Sequence, residues 1–448
     1  MQQFTETLCI RCYEMQFFQE NFAKYCDETQ EKQKDNTMKY TLKNKDKVVL
    51  EFEVETIVEK GDGTFQSKTT YQTLTDVAVF EKSLLPLTLG KEDIKNKLQT
   101  WLGNRKTPKN RAFVEKIVAT YGGNDRNFMD YIDVSLGLSL NDSYWIVPSD
   151  KDYKWKDYNL YDNEFDKALE LVAFMGASNK VSGITSSPEY TTNGMLKKCW
   201  HRENGQIYLY KGQGEKYANG GREAYAEYFS SQLARFLGFN AITYDLKLFH
   251  NQLVSTCPIF TNENEGYVPI YYCIDRKKSE HKNVEAEREI MRVYGKEAFE
   301  DLMVFDSLIA NQDRHLGNFG MIVDNNTGEI LRPAPIFDNG ASIFNTICEN
   351  DFNNIEKSIS EQRSYFGYSF NEQLERFFQD RHIKNIEKLQ HFHFKQHHQF
   401  SFNQEWLNEV ENYLHCRANE ILSLFKERYN SSQESTEDSD EDDDVHRM

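Results

Sequence analysis

The strongest constraint on this chain is a change of character at residue 311. The run "FEDLMVFDSLIA", residues 299 to 310, has apolar residues at helical spacing over most of its surface. It reads as a helix leading out of a core. It stops on "NQDRHLGN", residues 311 to 318, which packs an Asp, an Arg, a His and two Asn into eight residues. A hairpin pattern follows: "FGMIVD", the turn "NNTGE", then "ILRPAPIF". That hairpin ends on Asp338, in "FDNG".

Asn318 lies five residues after Asp313, and Asp338 closes the partner strand. In phosphoryl transfer a protein must orient a hydroxyl, hold Mg²⁺ on the phosphates and neutralise developing charge. A loop Asp can accept the hydroxyl proton. An Asn five residues on can face the metal, and a second Asp can bind the metal against the phosphates. Mg²⁺ takes hard oxygen ligands and keeps waters and phosphates for the rest of its shell. The spacing therefore assigns Asp313 as base, with Asn318 and Asp338 as metal ligands. Taken alone, each is better explained as a cap or turn residue; their order along the chain is what separates them from that reading.

The phosphate end should lie upstream. "YLYKGQ" places Lys211 on a strand. "GREAYAEYFSSQLARFLG" is an amphipathic helix in which Glu227 can hold Lys211 as an ion pair, with Glu223 competing on the same face. The loop from 182 to 194 can offer backbone N–H groups to phosphate, with Gly183 and Gly194 permitting close approach. "STCPIFTN" falls where a linker between two lobes would meet adenine, at Pro258 to Phe260.

The expected organisation is a mixed α/β region over 1–145 and an N-lobe with connector and phosphate loop over 146–256. A helical C-lobe over 257–429 and a disordered acidic tail over 430–448 complete it. "KVVLEFEVETIV" alternates like a strand, "KEDIKNKLQTWL" and "RAFVEKIVATYG" have helical spacing, and a helix is expected from about Asp162. The tail "SSQESTEDSDEDDDVHRM" carries eight acidic residues and one Arg, a large share of the net charge of -18. That balance argues against direct nucleic-acid binding, which needs a basic face. No signal peptide and no membrane span are expected, and eight irregularly spaced cysteines suggest reduced thiols in a cytoplasmic protein. Cys9, Cys12 and Cys26 lack a fourth nearby ligand for zinc. "HFHFKQHH", with His393 and His397, reads as a polar helix face, and Ser435 and Ser439 as part of a solvated tail.

The motifs "NQDRHLGNFG", "APIFDNG", "SPEYTTNGMLKKCW", "YLYKGQ" and "AEYFSSQLARFLG" resemble those of the HipA-like serine/threonine kinases, the toxin kinases of bacterial toxin–antitoxin systems. The resemblance covers roughly residues 140 to 425. It implies an α+β, two-lobed protein-kinase-like fold with a mixed α/β N-terminal region and a helical C-lobe. It implies ATP and Mg²⁺ as cofactors, Asp313 as base, Asn318 and Asp338 as metal ligands, and Lys211 with Glu227 at the phosphates. A protein substrate and an antitoxin partner follow from it, as does a growth-inhibiting or secreted-effector role. Autophosphorylation in the loop before the lysine strand is also implied, with Ser182, Ser186, Ser187, Thr191 and Thr192 as candidates. The loop "SGITSSPEYTTNG" departs from the family's commonest form. A phosphoinositide or small-molecule kinase shares the Asp-x4-Asn arrangement and is the enzyme rival. A pseudokinase acting as a binding module would lack Lys211, Asp313 or Asp338, and all three are present.

Overall fold

Alternation in "KVVLEFEVETIV" sends Leu50, Phe52 and Val54 to one face, where they are buried. The computed structural model describes residues 33–60, 68–90, 92–120, 127–178, 184, 187–214, 221–275 and 284–444, apart from the side chains of 33–36, 58–60, 68–70, 349–350 and 428–444. Strands β1 (Gln33–Asn44), β2 (Lys47–Lys60), β3 (Lys68–Val79) and β4 (Tyr144–Pro148) form an antiparallel sheet in the order β3-β2-β1-β4. Helices α1 (Ile94–Asn104), α2 (Val114–Thr120) and α3 (Asp130–Ser135) follow β3. Leu98, Trp101 and Ile132 from α1 and α3 close the core over Tyr40, Leu42 and Phe52.

The expected boundary after residue 145 falls inside β4. Tyr144 and Ile146 face the core just described, while Trp145 and Val147 face a second one. A strand buried on both faces joins two layers, so no linker can lie there.

Helix α4 (Lys167–Met175) begins later than the expected Asp162. Asp166 is the reason: its carboxylate accepts from the N–H groups of Ala168 at 2.8 Å and Leu169 at 3.0 Å, an N-cap. The N-lobe sheet is antiparallel, order β5-β6-β8-β7, from β5 (Lys198–Glu203), β6 (Gln206–Lys211), β7 (Asp245–Phe249) and β8 (Gln252–Pro258). His250 and Asn251, with φ of 46° and 59°, make the two-residue turn between β7 and β8. The boundary expected between 256 and 257 thus also cuts a strand. Helix α5 (Glu223–Phe236) packs against β8.

The C-lobe carries a sheet in the order β11-β10-β9, built from β9 (Glu265–Pro269), β10 (Gly320–Asp324) and β11 (Ile330–Pro333). The hairpin of β10 and β11 was expected; β9 was not, because "EGYVP" has too little alternation to mark a strand. Helices α6 (Val284–Tyr294), α7 (Lys296–Ile309), α8 (Ile355–Ser360), α9 (Phe370–Phe377), α10 (Asp380–Leu389) and α11 (Gln404–Asp444) complete the lobe. Phe299, Leu302, Met303, Val304, Phe305 and Leu308 of α7 are all fully buried, so this helix is the axis of the C-lobe core. The result is the expected two-lobed α+β arrangement.

Two expectations are corrected here. Helix α11 runs through the acidic segment to Asp444, where a disordered tail from 430 was expected. No Gly or Pro interrupts it, and extending a formed helix costs far less than starting one. "HFHFKQHH" is irregular backbone after α10, and Phe392 and Phe394 are buried there. His393 and His397 hold separate carboxylates, Glu411 at 2.7 Å and Asp245 at 3.1 Å. Cys9, Cys12 and Cys26 lie outside the described residues; among those described, no cluster of His, Cys, Asp and Glu could hold a metal ion. No described helix is long and apolar enough to cross a membrane.

The N-terminal region grips both lobes. On the C-lobe side, Asn44 Nδ2 donates to the Asn325 carbonyl at 2.6 Å, and Lys45 Nζ reaches Asn264 at 2.9 Å and Asn326 at 2.8 Å. Trp155 Nε1 donates to Glu263 at 2.8 Å. On the N-lobe side, Trp145 and Val147 share a core with Ile207 of β6. Arg111 forms a fully buried ion pair with Glu189 at 2.9 Å and also donates to the Lys198 carbonyl at 2.6 Å.

Burial pushes the Glu189 carboxyl up to about 7, with Arg111 opposing. A carboxylate whose pKa is raised by folding loses stability as pH climbs from its unfolded value toward its folded one. Arg111→Met should therefore cost about 3–5 kcal/mol at pH 8, because it strands a buried charge. The loss should shrink toward pH 5, where Glu189 takes up a proton, and Arg111→Met/Glu189→Gln should recover most of it. Urea unfolding at the two pH values checks this.

Candidate active site

The polar loop forms because α7 ends abruptly. Ala310 turns into the left-handed region at φ 50°, and Asn311 folds back with its N–H on the Asp306 carbonyl at 3.0 Å and its Nδ2 on Asp306 Oδ1 at 3.1 Å. Arg314 then points inward. It is 1% exposed, and its guanidinium binds Asp306 through Nε at 2.9 Å and Nη2 at 3.0 Å. The same group donates to the carbonyls of Asn318, at 3.0 Å, and Phe337, and to Asn339 Oδ1 at 2.6 Å. One side chain thus ties α7, the loop after it and the loop after β11 together.

That tie sets the positions of the expected residues. Asp313 is held by its backbone: its N–H donates to Asn311 Oδ1 at 3.1 Å, and its carbonyl accepts from Asn318 Nδ2 at 2.8 Å. Its carboxylate has no hydrogen-bond partner among the described residues and opens to solvent. Partial burial raises its pKa, His315 lowers it and Asp338 raises it again. Since Asn318 spends its amide nitrogen on Asp313, its Oδ1 is the atom left for a ligand.

Lys211 is at the centre of the other wall. Its ammonium pairs with Glu227 and, at 2.5 Å, with Asp338 Oδ1. Burial opposes its charge, but Asp338 and Glu227 outweigh that and hold it protonated. Burial would likewise raise the Asp338 carboxyl; Lys211 and then Lys198 hold it well below the usual range. Asp338 has φ 59°, unusual for a residue with a side chain, and its N–H donates to the Tyr244 hydroxyl at 3.2 Å. Glu227 accepts from the Asn339 N–H at 2.8 Å through its second oxygen. Glu223, its rival, is occupied by the N–H groups of Gly221 at 2.9 Å and Gly214 at 3.2 Å.

A cleft of about 190 Å³ lies between these walls and is lined by Gly194, Lys198, Lys211, Pro258, Phe260, Asn318 and Asp338, with Leu209, Ile242 and Phe337 as apolar sides. Of the linker residues, Pro258 has no N–H and Ile259 spends its own on the Ile207 carbonyl at 3.0 Å. The Phe260 N–H has no acceptor among the described residues. The apolar slot with one backbone donor fits a nucleobase, and the amide oxygen and carboxylate of Asn318 and Asp338 fit Mg²⁺ as a hard-oxygen pair.

Gly183, Ser182 and Ser186 lie outside the described residues. The other loop hydroxyls are structural. Ser187 Oγ accepts from the Glu189 N–H at 3.3 Å, Thr191 donates to the Leu138 carbonyl at 2.8 Å, and Thr192 donates to the Pro188 carbonyl at 2.7 Å. Three cleft features escaped the sequence reading: Lys198, Tyr244, and the segment Ser139–Asn141 from the N-terminal region. Lys198 could have been found from strand register, and nothing local marks the other two.

No protein-family model matches the chain. It is 24% identical over 211 residues to the serine/threonine-protein kinase CtkA of Helicobacter pylori, across 41% of this chain and 57% of that protein. The chain resembles the HipA-like kinases. It spans little more than half the length of that curated relative. The crystal structure of the H. pylori proinflammatory kinase CtkA matches 53% of this chain and 91% of its own, with a TM-score of 0.38 and 19% identity. HipA of Shewanella oneidensis, solved with HipB and operator DNA, matches 86% of this chain and 97% of its own, with a TM-score of 0.47 and 13% identity.

Arg314→Met would leave Asp306 buried without a counter-ion, so it should cost about 3–5 kcal/mol. Arg314→Met/Asp306→Leu should recover part of that loss while still disordering the Asp338 loop. Chemical denaturation of the three proteins checks the cycle; a loss below about 1 kcal/mol for the single variant would show that the pair is dispensable.

Proposed function

We propose that this chain is an ATP- and Mg²⁺-dependent kinase that phosphorylates Ser or Thr on a protein. The observation that carries the reading is Lys211, buried at the cleft and paired at once with Glu227 and Asp338. Two carboxylates from separate elements hold one ammonium where phosphates would enter. Pro258–Phe260 would receive the base, Lys211 the phosphates, and Asn318 with Asp338 the metal, which would supply charge neutralisation on the phosphates. Asp313 would orient the acceptor hydroxyl and take its proton. Its open carboxylate supports an acceptor presented by a macromolecule over a small molecule enclosed in the cleft. Growth inhibition and an antitoxin partner are further parts of the proposal that rest on the family resemblance.

Incubation with labelled ATP and Mg²⁺ tests it, with a mass-spectrometric map of phosphorylated sites. Asp313→Asn should lower the transfer rate by about 10²–10⁴ while leaving ATP affinity nearly unchanged. Asp338→Ala should abolish transfer. Label appearing only on lipid vesicles would favour a phosphoinositide kinase, and no transfer by the wild type would sink the kinase reading.

A further inference from the structure

Helix α5 turns Glu227 toward the cleft, and a second stripe of the same helix is covered from outside. Tyr225, Phe229, Gln232 and Phe236 recur every three or four residues, the spacing of one helical face. The cover is the irregular segment 391–402, "HFHFKQHHQFSF". Gln232 Nε2 donates to the Lys395 carbonyl, and Gln232 Oε1 accepts from the Lys395 N–H, both at 2.9 Å. The Tyr225 hydroxyl donates to the Ser401 carbonyl at 3.2 Å. Between these anchors Phe229 packs on Phe394 and Phe402, with ring centroids 5.4 Å and 5.7 Å away.

The segment is itself tied down. Glu411 of α11 accepts from the Phe394 N–H and binds His393 Nδ1, both at 2.7 Å. His415 of α11 donates to the Phe392 carbonyl at 2.9 Å. Gln396 closes the segment on itself through two bonds to the Phe402 backbone, each 2.8 Å. The backbone groups of this stretch are thus spent on α5 and α11 in place of a helix or strand of their own. An apolar cover alone would let α5 slide or turn. Two opposed hydrogen bonds on one side-chain amide fix both its height and its rotation.

That setting matters because Glu227 reaches Lys211 from α5. Where a kinase pairs a strand lysine with a helix glutamate, the position of the helix is a point of control. We infer that segment 391–402 is a brace that holds α5 where Glu227 meets Lys211, with Gln232 as the positioning residue. The inference rests on the kinase reading for its effect on the reaction. Glu227 also accepts from the Asn339 N–H at 2.8 Å, so a slip of α5 would free that amide too.

Deuterium exchange of backbone amides, together with phosphate transfer from ATP to a degenerate Ser/Thr peptide library, tests this. Gln232→Ala should speed exchange at α5 and at Asn339 about 10-fold, while α7 keeps its wild-type rates. It should lower kcat about threefold or more and leave the peptide KM within about twofold. Gln232→Glu keeps the acceptor and loses the donor, so it should fall between the two. Lys395→Ala retains both backbone groups and should match wild type. Equal speeding of α5 and α7, or an unchanged Asn339, shows Gln232 to be general packing and overturns the inference. A loosened α5 with unchanged kcat overturns the positioning role. A wild type that transfers no phosphate sinks the kinase reading, and selective exchange at α5 and Asn339 then decides the brace by itself.

Discussion

The arrangement of this molecule depends on burying one guanidinium. Arg314 and Asp306 are both almost without solvent contact, and neither could remain there alone. Asp306 belongs to the C-lobe's axial helix, so the pair makes the best-packed part of the protein the reference for the site. Each further bond from Arg314 fixes one loop against that helix: Asn318 on one side, Phe337 and Asn339 on the other. The planar fork of an arginine suits this work, since a lysine could not bind so many acceptors in fixed directions. Asp313, Asn318 and Asp338 are three loop residues, yet they inherit their placement from a helix core.

The second wall is built on different physics. Lys211 and Glu227 join sheet to helix, and Asp338 joins that pair to the lower lobe. Charges on three elements hold one another out of water, so the N-lobe and C-lobe halves of the site are coupled through the same ammonium. The left-handed backbone at Asp338 adds a local strain that the Tyr244 hydroxyl and the Arg314 bonds help to hold.

Much of the site was legible in the sequence because its residues follow chain order with strong local signals. A buried helix ending just before Asn311, a hairpin whose second strand stops five residues short of Asp338, and a strand ending on Lys211 each announce themselves by periodicity. The choice between Glu227 and Glu223 was not legible, since it turns on where the N–H groups of Gly214 and Gly221 point. Lys198 was hidden because only strand register sets it against Lys211. The unit boundaries were misplaced for a related reason: β4 and β8 each face two layers, and a sequence shows which residues are apolar but not how many neighbours want them. The helical path of α11 through the acidic segment was missed because composition speaks to burial and says little about whether an existing helix goes on.

The N-terminal region has a consequence for timing. The turn of its hairpin is bonded to loops of the C-lobe at Asn264, Asn325 and Asn326, while β4 is sealed into a core shared with the N-lobe. A two-lobed protein that opens by swinging about its linker needs the lobes to be free of each other elsewhere. Here a third body spans the gap on the linker side, and its residues Ser139–Asn141 reach the cleft itself. A swing of the lobes about that linker would first have to exchange these few asparagine bonds for water.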